Sequence, residues 1–230
     1  MKKNNLFITL TLILALTVVF TGCGGDSAAD ISGQVTPATE AAHVPVSLGR
    51  VEGGSYTNKY VGFGCELDSD WAFYTAEELQ ELPENVAELL EGSELVGDEM
   101  PTQITDMMAE NVTDLTTINV LYQKLSMQER LSYLAMDEED IVDGILSQVS
   151  TMTDAYAQAG IVVDRFEKVT ITFLGEERTA LWMAASIQDT PYYTLQIFDY
   201  DLGNYAVTTT LASYVEDSTG NLLELFFAVE

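Results

Sequence analysis

Two periods alternate along the chain, one helical and one extended. Leu79, Leu82, Val86 and Leu89 recur three or four residues apart, the stripe of a helix with one face on a core. Thr75 and Glu78 stand before it at capping-box spacing. Pro83 either kinks that helix or begins a second short one, and Gly92 ends it. Ser126-Met127-Gln128-Glu129 marks another short helix by the same box. Asp137 to Ala159 predicts the longest helix, with Ile141, Ile145, Val149, Met152 and Tyr156 on one face. Acids in its first turn suit the helix dipole, and Gly160 suits the residue just past its end.

The extended pattern begins at Ser55 to Leu67, turns through Asp68-Ser69-Asp70 and continues in Trp71 to Tyr74. Ile104 to Glu110 fits a helical turn or a strand. Thr116 to Lys124 is β by its branched residues. Four strands follow, Ile161–Phe173, Arg178–Gln188, Tyr192–Tyr200 and Tyr205–Ser213, joined by turn-forming clusters short enough to make them antiparallel neighbours. A last helix is expected from Thr219 to Phe227. The class is therefore α+β: an antiparallel sheet of about six strands flanked by helices.

The amino terminus has a different character. Lys2 and Lys3 precede an uncharged apolar run, Leu6 to Phe20, shorter than the ~20 residues a spanning helix needs. It has the form of a signal-peptide core. Phe20-Thr21-Gly22-Cys23 closes it and resembles the lipobox of bacterial lipoproteins, in which the cysteine receives a diacylglycerol. The expected organisation is a signal peptide over 1–22, a lipidated Cys23 opening a tether over 23–53, and one domain over 54–230. The tether is rich in Gly, Ala, Ser, Thr and Pro, which cannot repay the entropy of ordering. An ordinary secretory signal or an uncleaved anchor are the other readings of the same residues.

Charge narrows the partners. The 230 residues carry 37 Asp+Glu against 9 Lys+Arg, a formal net charge of −28. Phosphate backbones and anionic lipid repel such a chain, so nucleic acid is excluded as a partner. The excess concentrates between Tyr60 and Gln123, which holds no Lys or Arg. There Glu77, Glu81, Glu84, Glu88 and Glu91 lie opposite the apolar stripe of the first helix. They form either a solvated face or one that recruits calcium or a cationic partner, but side chains fanned along a helix do not converge on one ion.

Candidate chemistry is sparse. The single histidine, His43, lies in the tether, which removes Ser-His-Asp, Cys-His and multi-histidine zinc sites. With Cys23 consumed by lipid, Cys65 has no intramolecular partner. It shares a strand face with Val61, Phe63 and Leu67 and reads as a small core residue. Gly62 and Gly64 stand mid-strand and mark a bulge or a close backbone approach. Asp68-Ser69-Asp70 and Asp199 to Asn204 read as turns before metal sites, and Glu216-Asp217-Ser218-Thr219 as a helix cap. Tyr192, Tyr193, Phe198, Tyr200 and Tyr205 are core aromatics or an exposed platform for a peptide or glycan. No catalytic, cofactor-binding or metal residue is assigned.

The opening SYTNKYVGFGCELDSDWAFY, then FLGEERTALWMAASI and TLQIFDYDLGNYAVTTTLAS, resemble PsbP-like domains over residues 54–230. Cys65 departs from a bulky residue at its place, and Asp68 from a proline. The resemblance implies an α/β/α sandwich. The family includes the extrinsic photosystem II subunit, a nuclear-import factor that binds Ran, and bacterial lipoproteins of unknown role. No binding residue carries over, so activity does not transfer. The expectation is a non-catalytic lipoprotein held to the membrane through Cys23, on its extracytoplasmic face, binding a cationic protein or a small ligand. The alternatives are an acid-based hydrolase or calcium-dependent module at the cell surface, and, less favoured, the solute receptor of an importer.

Overall fold

Branched and aromatic residues at every second position produce long ladders, and short connections keep neighbouring strands antiparallel. The computed structural model describes residues 47–80, 103–158 and 160–230. Its elements begin with four short strands: β1 (Arg50–Glu52), β2 (Ser55–Asn58), β3 (Phe63–Glu66) and β4 (Trp71–Phe73). Helix α1 is described over 76–80. Strands β5 (Gln103–Asn111) and β6 (Thr116–Lys124) are followed by helices α2 (Met127–Tyr133), α3 (Glu138–Leu146) and α4 (Val149–Gln158). Then come β7 (Ile161–Phe173), β8 (Glu176–Ile187), β9 (Thr190–Leu202) and β10 (Tyr205–Tyr214). A single-turn helix α5 (Thr219–Leu222), a 3₁₀ turn over Leu223–Leu225 and β11 (Phe226–Ala228) complete the chain.

The class is α+β, but the strands form two sheets rather than one of about six. The larger has seven strands in the order β4-β5-β6-β10-β9-β8-β7, and the smaller has four, β1-β2-β3-β11. Two cores lie against opposite faces of the large sheet. One joins Tyr133, Ile141, Val142, Ile145, Met152 and Tyr156 of the helices to Met108, Leu181 and Met183. The other joins Tyr56, Phe63, Cys65 and Leu67 to Ile118, Val120, Tyr122, Leu195 and Ile197. The order of layers is therefore helices, large sheet, small sheet.

The hairpins follow their turn chemistry. Leu174 and Gly175 both take positive φ, 55° and 85°, and Gln188 and Asp189 do so at 50° and 65°. Two consecutive left-handed residues are the type I′ geometry that matches strand twist. Both predicted capping boxes form, and a third joins them. Thr75 Oγ1 accepts from the Glu78 amide while the Glu78 carboxylate accepts from the Thr75 amide, and Ser126–Glu129 does the same. Asp137 and Asp140 make the third, one residue into the expected long helix.

Four expectations are corrected. The long helix over 137–159 is two, because Ser147 Oγ donates to the Gly144 carbonyl at 2.6 Å and the Gln148 amide bonds Ile145 three residues back. That tightened turn lets the chain bend over the sheet. The last helix stops at Leu222, since Phe226–Ala228 gain a ladder against β3. The region expected to be tether ends earlier than Gly53: Arg50–Glu52 pair with β2. Gly62 lies in the β2–β3 turn at φ 78°, not mid-strand, whereas Gly64 is a true close approach. A Cβ there would meet Phe227 Cζ at 2.8 Å and the Tyr56 carbonyl at 2.4 Å.

Candidate functional site

The last strand brings aromatic rings to the edge of both sheets. Phe226 meets Phe63 and Phe173 edge-on, with centroids 5.6 and 5.2 Å apart. Beside them a groove of about 640 Å³ opens between the β7–β8 hairpin and the C-terminal segment. Its walls include Thr172, Leu174, Leu223, Glu224, Phe226 and Phe227. It is flanked by β7 and β11, the outer strands of the large and small sheets. The volume lies within the ~300–1,000 Å³ range of ligand pockets. Glu224 is the one charged side chain in the lining, so the groove suits an apolar or neutral group, or a cationic one. The lining offers no pair of acids and no nucleophile beside a base, the arrangements that acid–base or covalent catalysis needs.

A second constellation fastens the start of the domain. A bulge in β5 between Thr105 and Met107 inserts Asp106 and turns it toward the small sheet. Its carboxylate accepts from Tyr56 Oη at 2.6 Å, Asn58 Nδ2 at 2.6 Å and the Gly49 amide at 2.8 and 3.0 Å. Asn58 Nδ2 also reaches Tyr122 Oη at 2.7 Å. Burial pushes Asp106 above the usual carboxylate range, opposed by these three donors. Burial likewise pushes the Tyr56 hydroxyl up, reinforced by the negative charge of Asp106. A Cβ at Gly49 would lie 2.2 Å from Tyr56 Cε2, so only glycine passes under that ring.

A third is ionic. Arg178 Nε meets Glu138 Oε1, Arg178 Nη2 meets Asp199 Oδ1 at 2.9 Å and the Phe198 carbonyl at 3.0 Å, and the Thr179 amide donates to Glu138 Oε2 at 2.9 Å. Glu138 is the first residue of α3, so the triad fixes that helix to β8 and β9. Burial raises Asp199, against the pull of Arg178.

The large sheet also carries a polar row on its helix side. Met108, Asn119, Thr210, Gln196 and Leu181 lie opposite one another across β5, β6, β10, β9 and β8. Asn119 is fully buried, yet neither its amide nitrogen nor its oxygen hydrogen-bonds a protein group. The Gln196 amide approaches Thr210 Oγ1 at 3.5 Å.

Several residues singled out by sequence fall apart spatially. Cys23, His43 and most of the glutamate-lined face (Glu81, Glu84, Glu88, Glu91) lie outside the described residues; Glu77 is exposed. Cys65 is buried and free, and burial pushes its thiol up to about 12. Asp68 accepts from its own turn, the Asp70 amide at 3.0 Å. Asp199 serves Arg178. Asp217 accepts from the Thr219 amide and hydroxyl and from Trp182 Nε1, rather than acting as the cap of α5 itself. Among the described residues no group of three His, Cys, Asp or Glu could hold a metal ion. The five aromatics do not form one platform: Tyr192, Phe198 and Tyr200 join the helix-side core, Tyr205 packs on the other face, and half-buried Tyr193 stacks on Trp182 with centroids 6.0 Å apart. Sequence reasoning missed Asp106, Arg178, Asn58 and Asn119. A lone acid inside Ile104–Ala109 and a lone base at a strand start were the available signals.

The chain matches no family model, and no curated protein matches it.

Proposed function

We propose that this protein is an extracytoplasmic lipoprotein whose domain is a non-catalytic binding module, seating an apolar or cationic segment of a partner in the groove beside Phe226 and Phe227. The observation that carries the anchoring is in the sequence: a cationic start and an apolar run too short to span, closing on Phe20-Thr21-Gly22-Cys23. At least two acyl chains are needed for stable anchoring, as a diacylglycerol supplies. The groove supports the binding reading through its two exposed strand edges and its aromatic wall.

The same proposal places the domain near PsbP-like domains. An antiparallel sheet with helices against one face and the hairpin succession from Ile161 to Tyr214 support it. The small sheet on the second face is a departure from the α/β/α sandwich.

The test is to express the full chain in a bacterial host with labelled palmitate. Incorporation that depends on Cys23, and transfer of Cys23→Ala out of the membrane fraction, are expected. An unlabelled protein, or one that stays membrane-bound without Cys23, would overturn the anchor. A photo-crosslinker at Phe227 that captures no neighbour, while the protein remains surface-exposed and functional in its host, would remove the groove.

A further inference from the structure

Helix α2 is built the wrong way round for a helix that only completes a core. Its buried side chain is Tyr133, which stacks on Tyr200 at 4.4 Å. Arg130 Nη1 donates to Asn204 Oδ1 at 3.1 Å and holds the helix beside the β9–β10 turn. The opposite face is apolar and, among the described residues, open. Met127 is 71% exposed, Leu131 62%, Leu134 58% and Met136 39%. Met127, Leu131 and Leu134 follow one another four and three positions apart, so they share a face. The capping box at Ser126 and Glu129 fixes the first turn and occupies the acid of that turn. A contiguous apolar patch on a polyanion of net charge −28 calls for an occupant.

The position of the patch identifies one. The chain enters the domain at Ser47 to Gly49, ahead of Arg50, which lies opposite Thr57 at the Asn58 end of the small sheet. That end also carries the β2–β3 turn, where Tyr60 Oη bonds the Leu202 carbonyl. Leu202 precedes the β9–β10 turn, and the Leu125 amide bonds Asn204 on its other side, leading directly into α2. The chain therefore enters at the same end of the molecule as the apolar face of α2, and Leu48 beside it is 54% exposed. The stretch from Cys23 to Gly49 reaches at most about 90 Å when fully extended. An anchor at Cys23 thus keeps this end within reach of its own bilayer.

We infer that the Met127–Leu131–Leu134 face of α2 rests on a neutral lipid surface, so that the domain lies against the membrane with its chain entrance downward. This deepens the lipoprotein reading and rests on it. The chain's charge favours zwitterionic over anionic headgroups, since like charge repels. Binding comes from buried apolar area, as for interfacial helices.

The test uses the full lipidated protein in phosphatidylcholine vesicles. An environment-sensitive fluorophore is attached at Leu131→Cys, and in a second sample at Glu216→Cys at the far end of the domain; Cys65 is buried and does not compete. The probe at 131 is expected to shift to the blue and to be quenched at least twofold by lipids carrying a spin label in the acyl chain. The probe at 216 should respond to neither. Glu substitutions at Met127 and Leu134 should abolish the quenching while circular dichroism stays unchanged. Protein that floats with the vesicles while residue 131 stays in water overturns the inference and spares the anchor. Protein that does not float overturns both. A blue-shifted probe in vesicle-free detergent, with a dimer in sedimentation, assigns the face to a second copy and overturns the membrane assignment.

Discussion

On the small-sheet side of the large sheet, Asp106 gathers Tyr56, Asn58 and Gly49 into one cluster in which every donor finds the same carboxylate. On the helix side, ion pairs add to the apolar core that seats the helices. Arg178 grips Glu138 and Asp199, and exposed Lys168 reaches Glu139 at 2.7 Å and Asp143 at 2.8 Å. On this side too runs the polar row with Asn119 lacking a protein partner. One face is thus joined by a carboxylate-centred hydrogen-bond cluster and interlocked rings, the other by ion pairs around an apolar core. Networks whose members are all paired rigidify a core, and partly paired ones are its weak points. The ion-paired helices α3 and α4 are therefore expected to respond to salt more than the small sheet does.

The largest expected effect comes from removing the cation. Arg178→Met leaves Glu138 and Asp199 without their partner and should cost about 3 kcal/mol. Urea unfolding measures it, and hydrogen exchange should show the loss of protection concentrated in α3. A loss under 1 kcal/mol would mean that apolar packing alone holds the helices. Asp106→Ala should cost about 2–3 kcal/mol by orphaning buried donors, with exchange rising in β1 and β2 instead. If both variants open the same elements, the contrast between the faces is wrong.

Acidity acts on both faces in one direction. Asp106 and Asp199 are raised above the usual carboxylate range by burial. Each holds its proton at higher pH when folded than when unfolded, so stability rises as pH falls through that window. Glu78 is lowered by its bonds to Thr75 and works oppositely, but it is exposed. The melting temperature should therefore rise as pH is lowered from neutral toward the ordinary carboxylate range, and a fall would contradict the assignment. Asn119→Leu should gain about 1 kcal/mol, because it removes an unpaired buried amide. A loss would show that the amide has a role the protein contacts do not reveal. The smallest effect belongs to neutralising Glu77, Glu81, Glu84 and Glu88 to Gln. Folding should be unchanged or better by about 0.5 kcal/mol at most, and unfolding of the variant would refute a solvated face.

Much of the large sheet was legible because its turns are local. Leu174–Gly175 and Gly203–Asn204 announce hairpins in a few residues, and the capping boxes at Thr75 and Ser126 announce helix starts. Of the small sheet, β2 and β3 fall within the extended stretch Ser55–Leu67, whereas β1 and β11 span three residues each and carry too little alternation to count. The segment Leu222 to Phe227 has helical spacing, and only the ladder to Cys65, distant in sequence, turns its end into β11. The Asp106 cluster depends on a bulge, and the Arg178 triad on the packing of α3. Both are tertiary facts, invisible to periodicity.

The clasp at Gly49 has a mechanical side. Among the described residues, the first hydrogen bond that a pull from an amino-terminal anchor would meet is that of the Gly49 amide, held by both oxygens of Asp106. Behind it stands β1, an edge strand of three residues that would otherwise peel from β2 one pair at a time. Because Asp106 of β5 holds that amide, the load passes sideways into the second strand of the large sheet. The domain is gripped a step before its weakest ladder, as a strain relief protects the joint of a cable.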